Sequence, residues 1–254
     1  MTATSWTWAA ACRRGASHVN ADLRLQDAFK CFVGKGSAQP LVIVVSDGAG
    51  TAPYGGEAAS LICRTLTSLI RQHFSATEEL PSDETLGAWL QRARETLAAA
   101  AARRELTPRD FAATLILFIS RGDETVVLHV GDGCAVVKDE ATSTWIAPSW
   151  PYHGEYASTT AFITDEPLNS CIARHSGSIS AVSVFSDGLE RLALDLKARQ
   201  PFAPFFDRVI TPVAESSFVG KDAELSGKLN AFLDSESITS RSDDDKTLIL
   251  AVRR

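Results

Sequence analysis

Apolar positions along the chain fall into two periods. Leu41-Val42-Ile43-Val44-Val45 is an unbroken, mostly β-branched run, the pattern of a strand buried on both faces. Phe111–Ile119, Val126–Val130, Cys134–Lys138, Ser170–Ser176, Ile179–Phe185 and Thr247–Val252 read as further strands, with a short one at Thr144–Ile146. Residues 5–12 alternate loosely and Ala28–Val33 has period-two character, which predicts two strands ahead of the central run. Between them the period changes to that of a helix. Ala58, Ile62, Leu66, Leu69, Ile70 and Phe74 predict one over about Glu57 to Phe74. Leu86, Trp89, Leu90, Ala93, Leu97 and Ala100 are the stripe of a second. Pro81-Ser82-Asp83-Glu84 starts it, with Ser82 as cap and acids in the first turn, and Arg103 and Arg104 suit its end.

Helices are also expected at about Leu189–Lys197, Phe202–Thr211 and Lys221–Asp234, the last striped by Leu225, Leu229, Phe232 and Leu233. Gly15–Asp22 reads as a polar loop, and Lys35-Gly36-Ser37, Arg121-Gly122-Asp123 and Asp132-Gly133 read as hairpin connections. Residues 147–169, with Trp150, Tyr152, His153 and Tyr156, lack periodicity; a functional lid and a plugged Ω-loop both fit. Strands before and after a helix pair, mostly hairpin-linked, predict an α+β layered fold and not an alternating doubly wound sheet. No linker rich in Pro, Gly or Ser interrupts residues 1–254, so one domain is expected.

Four of the apolar runs carry acids at one end. Leu41–Val45 leads into Ser46-Asp47-Gly48, Ile179–Phe185 into Ser186-Asp187-Gly188, and Val126–Val130 into Gly131-Asp132-Gly133. Asp243-Asp244-Asp245-Lys246 stands directly before Thr247–Val252. One Asp-Gly after a strand is ordinary turn chemistry. Four acidic clusters at strand ends predict an oxygen-ligand metal site once a sheet gathers them. Carboxylate, backbone carbonyl and water suit Mg²⁺ or Mn²⁺, whereas softer metals want His or Cys. Two such ions roughly 3.5–4 Å apart can share a water and bring its pKa from ~15.7 toward neutrality. The resulting hydroxide can attack phosphorus in line, and no protein nucleophile is needed.

Composition narrows the setting. A chain of 254 residues needs no staples for its core, and a net charge of −6 argues against nucleic acid or an anionic membrane as partner. Cys12, Cys31, Cys63, Cys134 and Cys171 are scattered without a Cys-x-x-Cys pair and read as reduced, mostly buried thiols of a cytoplasmic protein. His18, His73, His129, His153 and His175 are equally dispersed, against a zinc site. The N-terminus has no basic leader with an apolar core, and no run approaches the ~20 residues of a membrane span. Two other phosphate chemistries fail. Gly50-Thr51-Ala52-Pro53-Tyr54-Gly55 has nucleotide-loop glycine spacing but is followed by Gly56-Glu57, and Asp47 has Val45 and Ala49 where an Asp-x-Asp pair would need an acid.

Gln26-Asp27-Ala28, Ser46-Asp47-Gly48-Ala49-Gly50, Gly131-Asp132-Gly133, Phe185-Ser186-Asp187-Gly188-Leu189 and Asp243-Asp244-Asp245-Lys246-Thr247 occur in the order and context of the metal-dependent, protein phosphatase 2C-like family. The chain resembles the compact bacterial branch of that family from residue 15 to residue 252. The resemblance implies a four-layer α/β/β/α sandwich, two central antiparallel sheets flanked by helices. It implies a serine/threonine protein phosphatase using two Mn²⁺ or Mg²⁺, in some members three, on phosphoprotein substrates written by a Ser/Thr kinase. Asp47 would bridge the two metals, the Gly48 carbonyl would bind the second, and Asp187 and Asp244 would hold the first. Asp27 would act through water, and Asp132 with Asp187 would take a third, weaker ion. The register among Asp243, Asp244 and Asp245 stays open.

The chain departs from the family pattern at three places. Ala49 stands where many members have a proton-donating His, Asp22 where many have a phosphate-clamping Arg, and neutral Gln26 where an acid often precedes Asp27. Arg24, His18 and Arg13 are candidate substitutes that the sequence does not separate. A catalytically weak module that binds phosphoproteins is the alternative these losses raise. Against it, a binding module has no need of mutually repelling carboxylates.

Overall fold

The computed structural model describes residues 5–34, 39–154 and 160–254; the connection read at Lys35-Gly36-Ser37, and Tyr156, lie outside the described residues. The chain begins with β1 (Trp6–Arg13), a short helix α1 (Ala16–Asn20), β2 (Asp27–Val33) and β3 (Leu41–Asp47). The helix pair α2 (Gly55–Ala76) and α3 (Asp83–Ala102) follows, then β4 (Leu115–Ser120), β5 (Glu124–Val130), β6 (Cys134–Asp139) and β7 (Trp145–Ile146). Next come β8 (Cys171–Ser176), β9 (Ile179–Phe185), α4 (Glu190–Ala193), and a ribbon of β10 (Leu194–Asp195) and β11 (Gln200–Pro201). The chain finishes with α5 (Ala203–Glu215), β12 (Gly220–Lys221), α6 (Ala223–Leu233), α7 (Glu236–Thr239) and β13 (Lys246–Arg253).

Two sheets result, ordered β2-β3-β4-β5-β8 and β12-β1-β13-β9-β6-β7. Pairing is antiparallel except where β12 runs parallel to β1. Side chains alternate faces along a strand, and the core divides accordingly. In β3, Val42 and Val44 pack against Ile62, Leu66 and Ile70 of α2 and Leu90, Ala93 and Leu97 of α3. Leu41, Ile43 and Val45 point the other way, against Val182, Val184 and Ile249 of the opposite sheet. That sheet turns Val136, Leu248 and Leu250 outward onto Phe206, Ile210 and Val213 of α5 and Leu229 and Leu233 of α6. This is the four-layer sandwich, with both sheets covered on both faces, which is why the β3 run needs no polar alternation.

The expected cap of α3 is present: Ser82 Oγ accepts the Thr85 amide at 3.2 Å. Several expectations need correction. The strand expected from Phe111 begins only at Leu115, because Pro108–Phe111 is a 3₁₀ turn in which Asp110 accepts the Thr107 amide at 2.9 Å. The helix expected over Leu189–Lys197 is one turn, α4, after which Asp195 takes the Ala198 amide at 2.9 Å and turns the chain into the ribbon. α5 runs past Thr211 and through Pro212 to Glu215, its buried Phe206, Ile210 and Val213 outweighing the proline. The loop read at 15–22 contains α1, whose Ser17 amide and hydroxyl both donate to Asp243 O at 2.9 and 2.7 Å. α7 carried no sequence signal.

Asp132-Gly133 is not a hairpin turn. β5 and β6 lie in different sheets, so the 131–133 segment carries the chain from one to the other. Gly131 has φ +113°, a conformation that a side chain would strain. Parts of the 147–169 segment are firmly held: Ala161 and Ile163 are buried in the helix-side core, and Arg94 donates to Ile163 O at 2.6 Å. All five cysteines are free; Cys63 and Cys134 are buried, Cys12 and Cys31 half-buried, and Cys171 exposed. No helix among the described residues is long and apolar enough to cross a membrane.

Candidate active site

Strand parity explains where the first acids go. Leu41, Ile43 and Val45 face the opposite sheet, so Asp47, two residues on, continues that face. In β2, Phe29, Cys31 and Val33 pack on the same inter-sheet core, and Asp27 is the next residue of that series toward the strand start. Asp27 and Asp47 are cross-strand partners. The other sheet delivers Asp187 just past the end of β9 and Asp244 just ahead of β13, which are neighbouring strands.

Asp47, Gly48, Asp132, Asp187 and Asp244 line one cleft of about 550 Å³, together with Ser17, His18, Thr114 and Phe162. A smaller recess of about 290 Å³ shares Asp132, Asp187 and Asp244 and adds His153, Glu190 and Asp243. There His153 Nε2 stands 2.7 Å from Glu190 Oε1. Asp27 lies one layer behind the cleft, buried, its Oδ2 accepting from Ser186 Oγ at 2.7 Å and Thr247 Oγ1 at 2.6 Å. Thr114 Oγ1 accepts the Asp47 amide at 3.0 Å, and Asp47 O accepts the Thr114 amide at 2.8 Å. Gly48 is obligatory for packing, since a Cβ there would stand 2.1 Å from the Gly55 carbonyl carbon at the start of α2.

The three neighbouring aspartates are separable. Asp245 is buried and structural: its oxygens take the Gly15 amide at 2.7 Å and the Gln26 amide at 2.6 Å. Asp243 offers its carbonyl to Ser17 and faces the smaller recess. Of the three, Asp244 faces the main cleft. Ser186, Thr247 and Thr114 join the site beyond the candidates named from the sequence, and Asp245 is one of three left in open register. Ser186, Thr247 and Asp245 stand inside the quoted motifs, whereas Thr114 carried no signal. Among the candidate substitutes, Arg13 pairs with Asp234 at the surface, Arg24 is exposed, and Asp22 is an exposed residue at φ +52°. His18 is the one that lines the cleft.

The electrostatics are those of crowded acids. Burial pushes the Asp27 carboxyl up to about 6, with the charge of Asp245 adding to it and the Thr247 and Ser186 hydroxyls opposing. Burial, then the charges of Asp27 and Asp187, hold Asp47 well above the usual carboxylate range. Burial, then Asp132 and Asp244, do the same to Asp187, and burial raises Asp132. Asp27 Oδ1 and Asp187 Oδ1 are shut from solvent without a hydrogen-bond partner. Among the described residues no three His, Cys, Asp or Glu side chains are drawn together tightly enough to enclose an ion, although Asp47 interacts with both Asp27 and Asp187. Orphaned carboxylate oxygens, an all-oxygen donor set and the Gly48 backbone on the cleft wall fit hard divalent cations, with water completing the coordination.

The family model described as Protein phosphatase 2C matches residues 14–234. The chain belongs to the protein phosphatase 2C family. Serine/threonine-protein phosphatase 3 of Escherichia coli (strain K12) is 36% identical over 252 residues, covering 98% of each chain. Among solved structures, a bacterial serine phosphatase superposes with a TM-score of 0.67 at 17% identity over 96% of each chain. The catalytic domain of the serine threonine protein phosphatase PstP, in complex with 2 manganese ions, gives 0.63 at 16% identity, covering 98% of this chain and 99% of that one. These structural likenesses establish a protein phosphatase 2C fold for this family member.

Proposed function

We propose that the chain is a metal-dependent protein phosphatase hydrolysing phosphoserine and phosphothreonine in protein substrates. The observation that carries this reading is the cleft in which two sheets and their crossover place Asp47, Gly48, Asp132, Asp187 and Asp244 together. Asp47 would hold two Mn²⁺ or Mg²⁺ between them, with the Gly48 carbonyl on one, Asp187 and Asp244 on the other, and Asp132 with Asp187 serving a third. Bound there, such ions supply an acidified water and offset charge developing on the phosphoryl oxygens. Asp27, fixed by Ser186 and Thr247 behind Asp47, would orient the ligand water and hold Asp47 in place. The named relatives support the substrate class: one is a serine/threonine phosphatase over the whole chain length, and another carries manganese. The enzyme would act in the cytoplasm as one catalytic unit, opposing a Ser/Thr kinase.

Nothing observed favours the binding-only alternative, which gives the buried, repelling carboxylates no purpose. The test is hydrolysis of a phosphoserine peptide and of an aryl phosphate with Mn²⁺. EDTA should abolish both activities, and Asp47→Asn should do the same; indifference to both treatments ends the reading.

A further inference from the structure

His18 is the one basic side chain lining the main cleft among the described residues. It is 8% exposed, and its Nδ1 lies 2.9 Å from Asp245 Oδ2. Asp245 is itself 1% exposed and is fixed by the Gly15 and Gln26 amides, which donate to its two oxygens. Nε2 faces the opposite way, 4.0 Å from where a Cβ on Gly50 would stand, on the turn that follows Asp47-Gly48. The helix bearing His18 is pinned by the two bonds from Ser17 to Asp243 O. Ala49, on the same cleft wall, has nothing to donate.

We propose that His18 is a further catalytic residue of this site, giving a proton from Nε2 to the seryl or threonyl oxygen as it leaves phosphorus. The inference rests on the phosphatase reading. As a water oxygen bonds to phosphorus, the bond from phosphorus to the side-chain oxygen breaks and its electron pair stays on that oxygen. The departing oxygen takes the Nε2 proton, and the proton shed by the water returns to the imidazole through solvent. The sum is phosphoester plus water giving alcohol plus phosphate. An alkoxide needs this proton, whereas a nitrophenolate is a stable leaving group without it.

Two variants separate proton donation from mere phosphate contact. In His18→Asn the amide nitrogen takes the place of Nδ1, keeping the contact with Asp245 and deleting Nε2. In His18→Gln the amide nitrogen takes the place of Nε2, a hydrogen-bond donor that releases no proton. Both should lower kcat on a phosphoserine peptide by about 10²–10⁴-fold, the usual worth of a general acid. Both should change p-nitrophenyl phosphate hydrolysis far less, and calorimetric binding of inorganic phosphate to the Mn²⁺-loaded protein should persist. Full activity of the Gln variant on the peptide, equal losses on both substrates, or no loss would each overturn the proposal. Melting curves accompany both variants because the residue is buried. Should neither fold, the wild type decides with a series of aryl phosphates: a nearly flat dependence of kcat/KM on leaving-group pKa supports proton donation, and a steep decline overturns it. Wild-type protein that hydrolyses neither substrate with Mn²⁺ removes the phosphatase reading itself, whereas an active wild type with indifferent variants removes His18 alone.

Discussion

Replacing Asp27 with Asn should stabilise the metal-free protein at neutral pH. The carboxyl is buried, and its folded-state pKa is about 6 against an ordinary value of 3.8. A folded pKa raised above the unfolded one means the native state binds the proton more tightly. The contribution of Asp27 to stability is therefore full below about pH 4 and declines as pH climbs through 6. The shift is roughly two units at 1.36 kcal/mol each, so ionised Asp27 costs about 3 kcal/mol above pH 6. Asn keeps an oxygen for Ser186 and Thr247, which both donate to Oδ2, and puts an uncharged group where Oδ1 has no partner. Urea unfolding of both proteins in EDTA at pH 4.5, 5.5, 6.5 and 7.5 tests this. The Asn variant should gain on wild type with rising pH, to a plateau of about 3 kcal/mol. Comparing two proteins cancels every other titrating group that the substitution leaves alone. A pH-independent difference, or an Asn variant weaker at pH 7.5, would refute the reasoning.

Divalent cations should act in the opposite sense. Mn²⁺ at about 100 times its Kd should stabilise wild type by about 2.7 kcal/mol at neutral pH, read as a rise in Tm that Asp47→Asn and Asp187→Asn largely lose. Buried His129 has its pKa lowered by burial to about 4 from 6.5, so its stabilising contribution is complete above pH 6.5 and fades as pH falls toward 4. His129→Asn, which keeps a donor near Ser149 Oγ, should therefore show an acid-side loss smaller than wild type's by about 3 kcal/mol in urea titrations at pH 7.5 and pH 4. Gly48→Ala forces a Cβ to within 2.1 Å of the Gly55 backbone and should cost about 1–3 kcal/mol or more; an unchanged urea midpoint would contradict that close approach.

The parts of this molecule that the sequence disclosed are those decided by local periodicity. The α3 stripe, the Ser82 cap and the two-sided burial of Leu41–Val45 each follow from a few neighbouring residues. The Asp132 turn could not be read that way. An Asp-Gly after a strand looks the same whether the next strand pairs back or joins another sheet, and only the pairing of Cys134–Asp139 with β9 decides it. Asp243, Asp244 and Asp245 are chemically identical, so their separate duties emerge only when the Gly15 and Gln26 amides claim the last of them. The 189–197 helix failed for a related reason: Leu194 is buried as readily in the ribbon as it would be in a helix.

The acids at the cleft and just behind it come from both halves of the sandwich, Asp47 and the deeper Asp27 from one sheet and Asp187 and Asp244 from the other, with Asp132 on the crossover. Neither half holds a working constellation alone. An ion bound across that seam as proposed would act as a rivet, and slippage between the layers would then dissolve the proposed centre before any strand frayed. Turnover then becomes a gauge of whether the two halves are still seated together.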